Sequence, residues 1–69
     1  MMTASEALQR LREGKRVKAE TADEFYQGYR NGVICELKQE TACAAIVIRQ
    51  LTPDQFESEG FGITFEIYD

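Results

Sequence analysis

The sequence predicts an α+β fold: a small antiparallel sheet of four to five strands, with an N-terminal helix and a short helix before the last strand. Three observations carry that prediction. Thr3-Ala-Ser-Glu6 and Thr52-Pro-Asp-Gln55 both read as helix starts. Asn31-Gly32 stands between two strand-like runs, and Asn-Gly favours the positive φ angles of a type I′ hairpin turn. Ala42–Ile48 carries no charge and ends in the β-branched Ile46-Val47-Ile48, which suits extended backbone.

Taken in order, the first helix runs about from Ala4 to Glu13. Ala4, Ala7, Leu8 and Leu11 recur at helical spacing, Arg10 and Arg12 complement the carboxyl end, and Gly14 supplies the stop. Lys15–Glu20 then alternates Val17 and Ala19 with charged neighbours, the pattern of a half-exposed strand, and its lysines suit an edge. Residues 21–32 carry two signals. Thr21-Ala-Asp-Glu24 is a possible helix start, but Gly28 weakens a helix by about 1 kcal/mol and Asn31-Gly32 favours a hairpin. The hairpin register sets Tyr26 against Leu37 and Gly28 against Cys35, the glycine leaving room for a ring or a thiol.

Val33, Cys35 and Leu37 form the apolar face of the next strand, alternating with Ile34, Glu36 and Lys38. Ala42–Ile48 is apolar at every position, so as a strand it expects cover on both faces and reads as the central one. Pro53–Glu59 forms a short helix with Thr52 as cap, Phe56 inward, and Gly60 as stop. Gly62–Tyr68 closes the chain as a strand with Ile63, Phe65 and Ile67 inward.

A chain of 69 residues forms one domain, spanning 1–69. It buries only about 60% of the surface its unfolded form exposes, so oligomerisation is a natural supplement, with a homodimer the simplest case. A central strand greasy on two sides points the same way. The chain has no histidine, and two cysteines alone do not make a structural zinc site, so no metal or other cofactor is expected. A Cys35–Cys43 disulfide is geometrically allowed, but no export signal is evident, which favours two free buried thiols. No apolar run approaches the length of a membrane helix. The expectation is a soluble protein of the cytoplasm.

Without histidine, the commonest general base, and with no carboxylate spacing that marks a metal or glycosidase site, the residues argue against an enzyme. Charge is uneven along the chain. Residues 1–18 hold five bases against two acids, and residues 50–69 hold five acids and no base. The basic run with Arg12, Lys15, Arg16 and Lys18 is the candidate phosphate- or nucleotide-binding set. It lies at the wrong pole of its helix for anions in an acidic protein, which argues against nucleic acid. The opposite candidate is a partner-binding set: Asp54, Glu57 and Glu59 for a basic protein, with Tyr26, Tyr29, Phe61 and Tyr68 as aromatic anchors. Each charge cluster also reads as solvated surface, and two or three of the aromatics as the finish of a thin core.

Glu6-Ala-Leu-Gln-Arg-Leu-Arg-Glu-Gly-Lys-Arg-Val17 and Leu51-Thr-Pro-Asp54, with the aromatic and acidic strand that follows, resemble small phage proteins of the Thoeris anti-defence type-two group. The resemblance covers about a third of the chain and implies an oligomeric protein that sequesters a nucleotide signal. Members of that group carry tryptophans that this chain lacks, Phe61 and Phe65 being the nearest substitutes, so no ligand residue is carried over. Three functional expectations follow. One is a stoichiometric, phage-type inhibitor of a host defence protein. Another is an oligomeric nucleotide sponge, and a small accessory subunit with no ligand is the third reading.

Overall fold

The structure, a computed structural model, describes residues 1–68. Helix α1 spans Ala4–Arg12, and its capping box is complete: Thr3 accepts from the Glu6 amide while the Glu6 carboxylate accepts from the Thr3 amide. Its four apolar residues are all buried. The chain leaves through Gly14 at φ +91° and enters β1, Val17–Ala19. β2, Phe25–Arg30, and β3, Val33–Thr41, form the hairpin, with Asn31 at φ 53° and Gly32 at φ 83°. The helical alternative for residues 21–32 is excluded. Tyr26 pairs with Leu37 and Gly28 with Cys35, the register the turn dictates.

β4, Ala44–Leu51, follows, then α2, Pro53–Glu59, and β5, Phe65–Ile67. In α2 Thr52 and Gln55 close a second capping box, Pro53 opens the helix and Phe56 is buried. The five strands are antiparallel in the order β4-β3-β2-β1-β5. One apolar cluster draws on both helices and on Val17, Ile34, Leu51 and Phe65 of four strands, so both helices lie on one face. Alternation along β2 and β3 then fixes the two sides. Gln27, Tyr29, Ile34 and Glu36 face the helices, and Tyr26, Gly28, Cys35 and Leu37 face away.

Several expectations are corrected. Ala42–Ile48 does not supply the central strand. β4 pairs with β3 alone and forms an edge, exposed from Ala44 through Gln50. Conversely β1, expected at an edge, lies between β2 and β5, because β5 adds to its far side. Ile34, grouped by alternation with the polar residues, is fully buried beneath the helices. Of the three inward residues expected in the last strand, Phe65 is buried, whereas Ile63 and Ile67 are exposed. Both cysteines are free as expected, Cys35 buried but Cys43 exposed.

Two glycines also change meaning. Gly60 caps α2 at an ordinary φ of −86°. Its role is close approach, since a Cβ there would lie 2.9 Å from the Ala4 Cβ. At Gly28 an added Cβ would meet Leu37 Cδ1 at 3.7 Å, an ordinary contact, so that glycine reserves no space.

Candidate interaction surfaces

The helix-free face carries an aromatic stack. Tyr26 and Tyr68 lie parallel with ring centroids 4.1 Å apart, and the Arg16 guanidinium sits 5.6 Å and 5.1 Å from their centroids. The register explains the meeting: β1 runs between β2 and the chain end, and the Tyr68 amide donates to the Arg16 carbonyl at 2.8 Å. Tyr26 Oη donates to Gln39 Oε1 at 3.1 Å. Tyr26 is therefore buried and spent within the chain, not an exposed anchor. Tyr29 points to the other face and packs half-buried against the core.

The basic set is partly consumed as well. Lys18 Nζ lies 3.5 Å from Asp23 and 3.4 Å from Glu66, its neighbour across the strand pair. Arg16 covers its own tyrosines. Arg12 and Lys15 are exposed at the carboxyl end of α1.

The acidic helix divides in a similar way. Glu59 holds Arg49 through both carboxylate oxygens, at 2.6 Å and 3.3 Å, and Arg49 Nε donates to Glu36 at 3.0 Å. The two carboxylates push the Arg49 pKa upward and tie α2 to β3 and β4. Asp54 and Glu57 are exposed and belong to no ion pair among the described residues. Just beyond them Phe61 is 89% exposed. It borders an open groove of about 410 Å³ between Thr3–Ser5, at the start of α1, and Gly60–Thr64, with Glu57 on the rim. An exposed aromatic beside a free carboxylate, here Phe61 beside Glu57, can anchor a basic surface, the ring supplying buried area and the charge orientation.

Three features escaped the sequence. Gln27 is 7% exposed and its Oε1 has no hydrogen-bond partner among the described residues. It borders a cavity of about 140 Å³ that also meets Phe25, Glu36, Arg49 and Phe56. A polar residue at an inward-facing position of β2 was the available signal. The Arg49 bridge was the second, a lone charge closing an apolar run. The third is the bare β4 edge, where Ile46, Val47 and Ile48 are 44%, 52% and 44% exposed.

Among the described residues no three His, Cys, Asp or Glu side chains are grouped to hold a metal ion, and no helix is long and apolar enough to cross a membrane. No protein-family model matches the chain, and comparison with curated proteins and with solved structures returns no match.

Proposed function

We propose that this chain is a small non-enzymatic binding protein that occupies a basic surface of a partner protein stoichiometrically, as a phage-type inhibitor of a host defence system would. The observation that carries the reading is Phe61, exposed on the α2–β5 connection and lining the same open groove as the unpaired carboxylate of Glu57, with Asp54 exposed in the first turn of the same helix. Exposing a phenylalanine to water is unfavourable in a free domain, and covering it is what a partner gains. The acids add long-range attraction that weakens with salt. The accompanying anchors are Tyr68, half-buried in its stack, and Glu59 through its exposed edge.

The nucleotide-sponge reading uses Arg12, Lys15, Arg16 and Lys18. It stands second, because Arg16 and Lys18 already serve contacts within the chain. Capture of a partner from host lysate by immobilised wild-type protein, repeated with Phe61→Ala and with Asp54→Lys combined with Glu57→Lys, separates the readings. A protein retained at a one-to-one ratio by the wild type should bind each variant at least about tenfold more weakly. Equal retention by all three contradicts the proposed surface. A nucleotide released on heating the purified chain supports the sponge instead.

A further inference from the structure

The two edges of the sheet are finished differently. At β5, Met2 adds an antiparallel bridge to Phe65, with its amide donating at 3.0 Å and its carbonyl accepting at 2.8 Å. β5 is also only three residues long and carries Glu66. Short length, charge and cover are the usual devices that stop an edge from pairing with another chain. β4 has eight residues, and between Ala44 and Ile48 it has neither charge nor proline. Its pairing with β3 is irregular at two places: Ile48 is an extra residue where the partner of β3 jumps from Arg49 to Val47, and Glu40 of β3 is extra between the pairs Gln39–Ala45 and Thr41–Ala44.

We infer that β4 is a homodimer interface, pairing antiparallel with β4 of a second copy across a two-fold axis near Ile46. The identity of the occupant follows from register and charge. Antiparallel self-pairing centred on Ile46 sets Ile46 against itself and Ala45 against Val47, with the bulged Ile48 beyond them on the side of Ala44. The only charge between Ala42 and Gln50 is Arg49, which lies beyond the bulged Ile48 and is already neutralised by Glu36 and Glu59. No like charges meet across the axis, although each copy carries a net charge of −4. A second copy thus offers an apolar strand of matching length and composition. The pair forms one continuous sheet of ten strands with all helices on the same face, and the two-fold axis closes the assembly at two subunits. The interface does not use Phe61, Asp54 or Glu57, so it stands or falls separately from the proposed partner surface.

The test is sedimentation of the full-length chain over about a hundredfold dilution. The expected result is twice the 7.9 kDa chain mass at high concentration, falling toward one chain mass on dilution. Ile46→Glu should give a single chain mass throughout with an unchanged circular dichroism spectrum. Within one copy the new carboxylate lies opposite Lys38, whereas across the axis two such carboxylates confront each other. Register is read independently by Ile46→Cys in a Cys43→Ser background. Residues facing across the axis have Cα atoms about 5 Å apart, within disulfide reach, so oxidation should yield a covalent dimer. Ala44→Cys in the same background places its thiols about 13 Å apart along the strand and should stay uncoupled. A wild-type chain monomeric at every concentration overturns the inference. So does a dimer that survives Ile46→Glu, or one that oxidises at position 44 and not at 46.

Discussion

At the β5 edge, a methionine at the start of the chain bonds to the strand, and α1 and α2 bury Phe65 beneath it. At the β4 edge, the most apolar run of the sequence lies open on both faces, and only Leu51 at its end reaches the core. Apolar composition is therefore a poor guide to where this protein hides surface. Burial follows from how far along each strand the two helices reach: they cover Leu51 at the end of β4 but not Ala44–Gln50. The covered end holds the domain together, and the bare end is free to act on something outside it.

Single truncations should show the contrast most strongly. Leu11→Ala removes a fully buried side chain and should cost about 2–5 kcal/mol. Ile48→Ala, a comparable deletion from the apolar run, should stay within about 0.5 kcal/mol in dilute solution, where the chains are separate. Urea unfolding at low protein concentration measures both. Equal losses would mean that β4 is packed within a single subunit.

The glycines give the next largest difference. Gly60→Ala forces a methyl against Ala4, the Phe56 carbonyl and Phe65 and should destabilise by about 1–3 kcal/mol. Gly28→Ala has room and a strand-compatible backbone, so it should be neutral or gain up to about 1 kcal/mol. Thermal unfolding of the two variants tests whether close packing is confined to the helix side. On that side Gln27 is the weak point. Gln27→Leu removes a buried amide oxygen that has no hydrogen-bond partner and should raise stability by about 1 kcal/mol in the same assay.

The smallest effect compares the two capping boxes under acid. Hydrogen bonds from the Thr3 amide and hydroxyl hold the Glu6 pKa below its ordinary value of 4.5. A depressed carboxylate contributes stability that is complete above the ordinary value and lost as pH falls through the depressed one. Gln55, which plays the same part in α2, does not titrate. Amide chemical shifts in an acid titration should therefore show the start of α1 loosening while the start of α2 holds. Parallel changes at both helix starts would contradict this assignment.

Local chemistry was legible in the residues. Thr3 with Glu6, Thr52 with Gln55 and Asn31-Gly32 each act within a few positions, so they fixed both helix starts and the β2–β3 register. Strand order was not legible, because it depends on pairings between distant segments. Val17–Ala19 becomes interior only when Phe65–Ile67 returns beside it, and nothing near either segment encodes that return. The same gap hid the candidate surfaces. Alternation in β2 is consistent with Tyr26 facing either side, and only the placement of the last strand brings Tyr68 and Arg16 onto its ring. Phe61 and Glu57, by contrast, were visible as surface from their position in and after a short capped helix.

Hydrogen exchange resolved to single amides, recorded at high and at low protein concentration, puts the open edge to the test most directly. Alternate amides in Ala44–Ile48 should gain protection as concentration rises, while those of Phe65–Ile67 stay unchanged. Protection in Ala44–Ile48 that is the same at both concentrations would contradict pairing through β4.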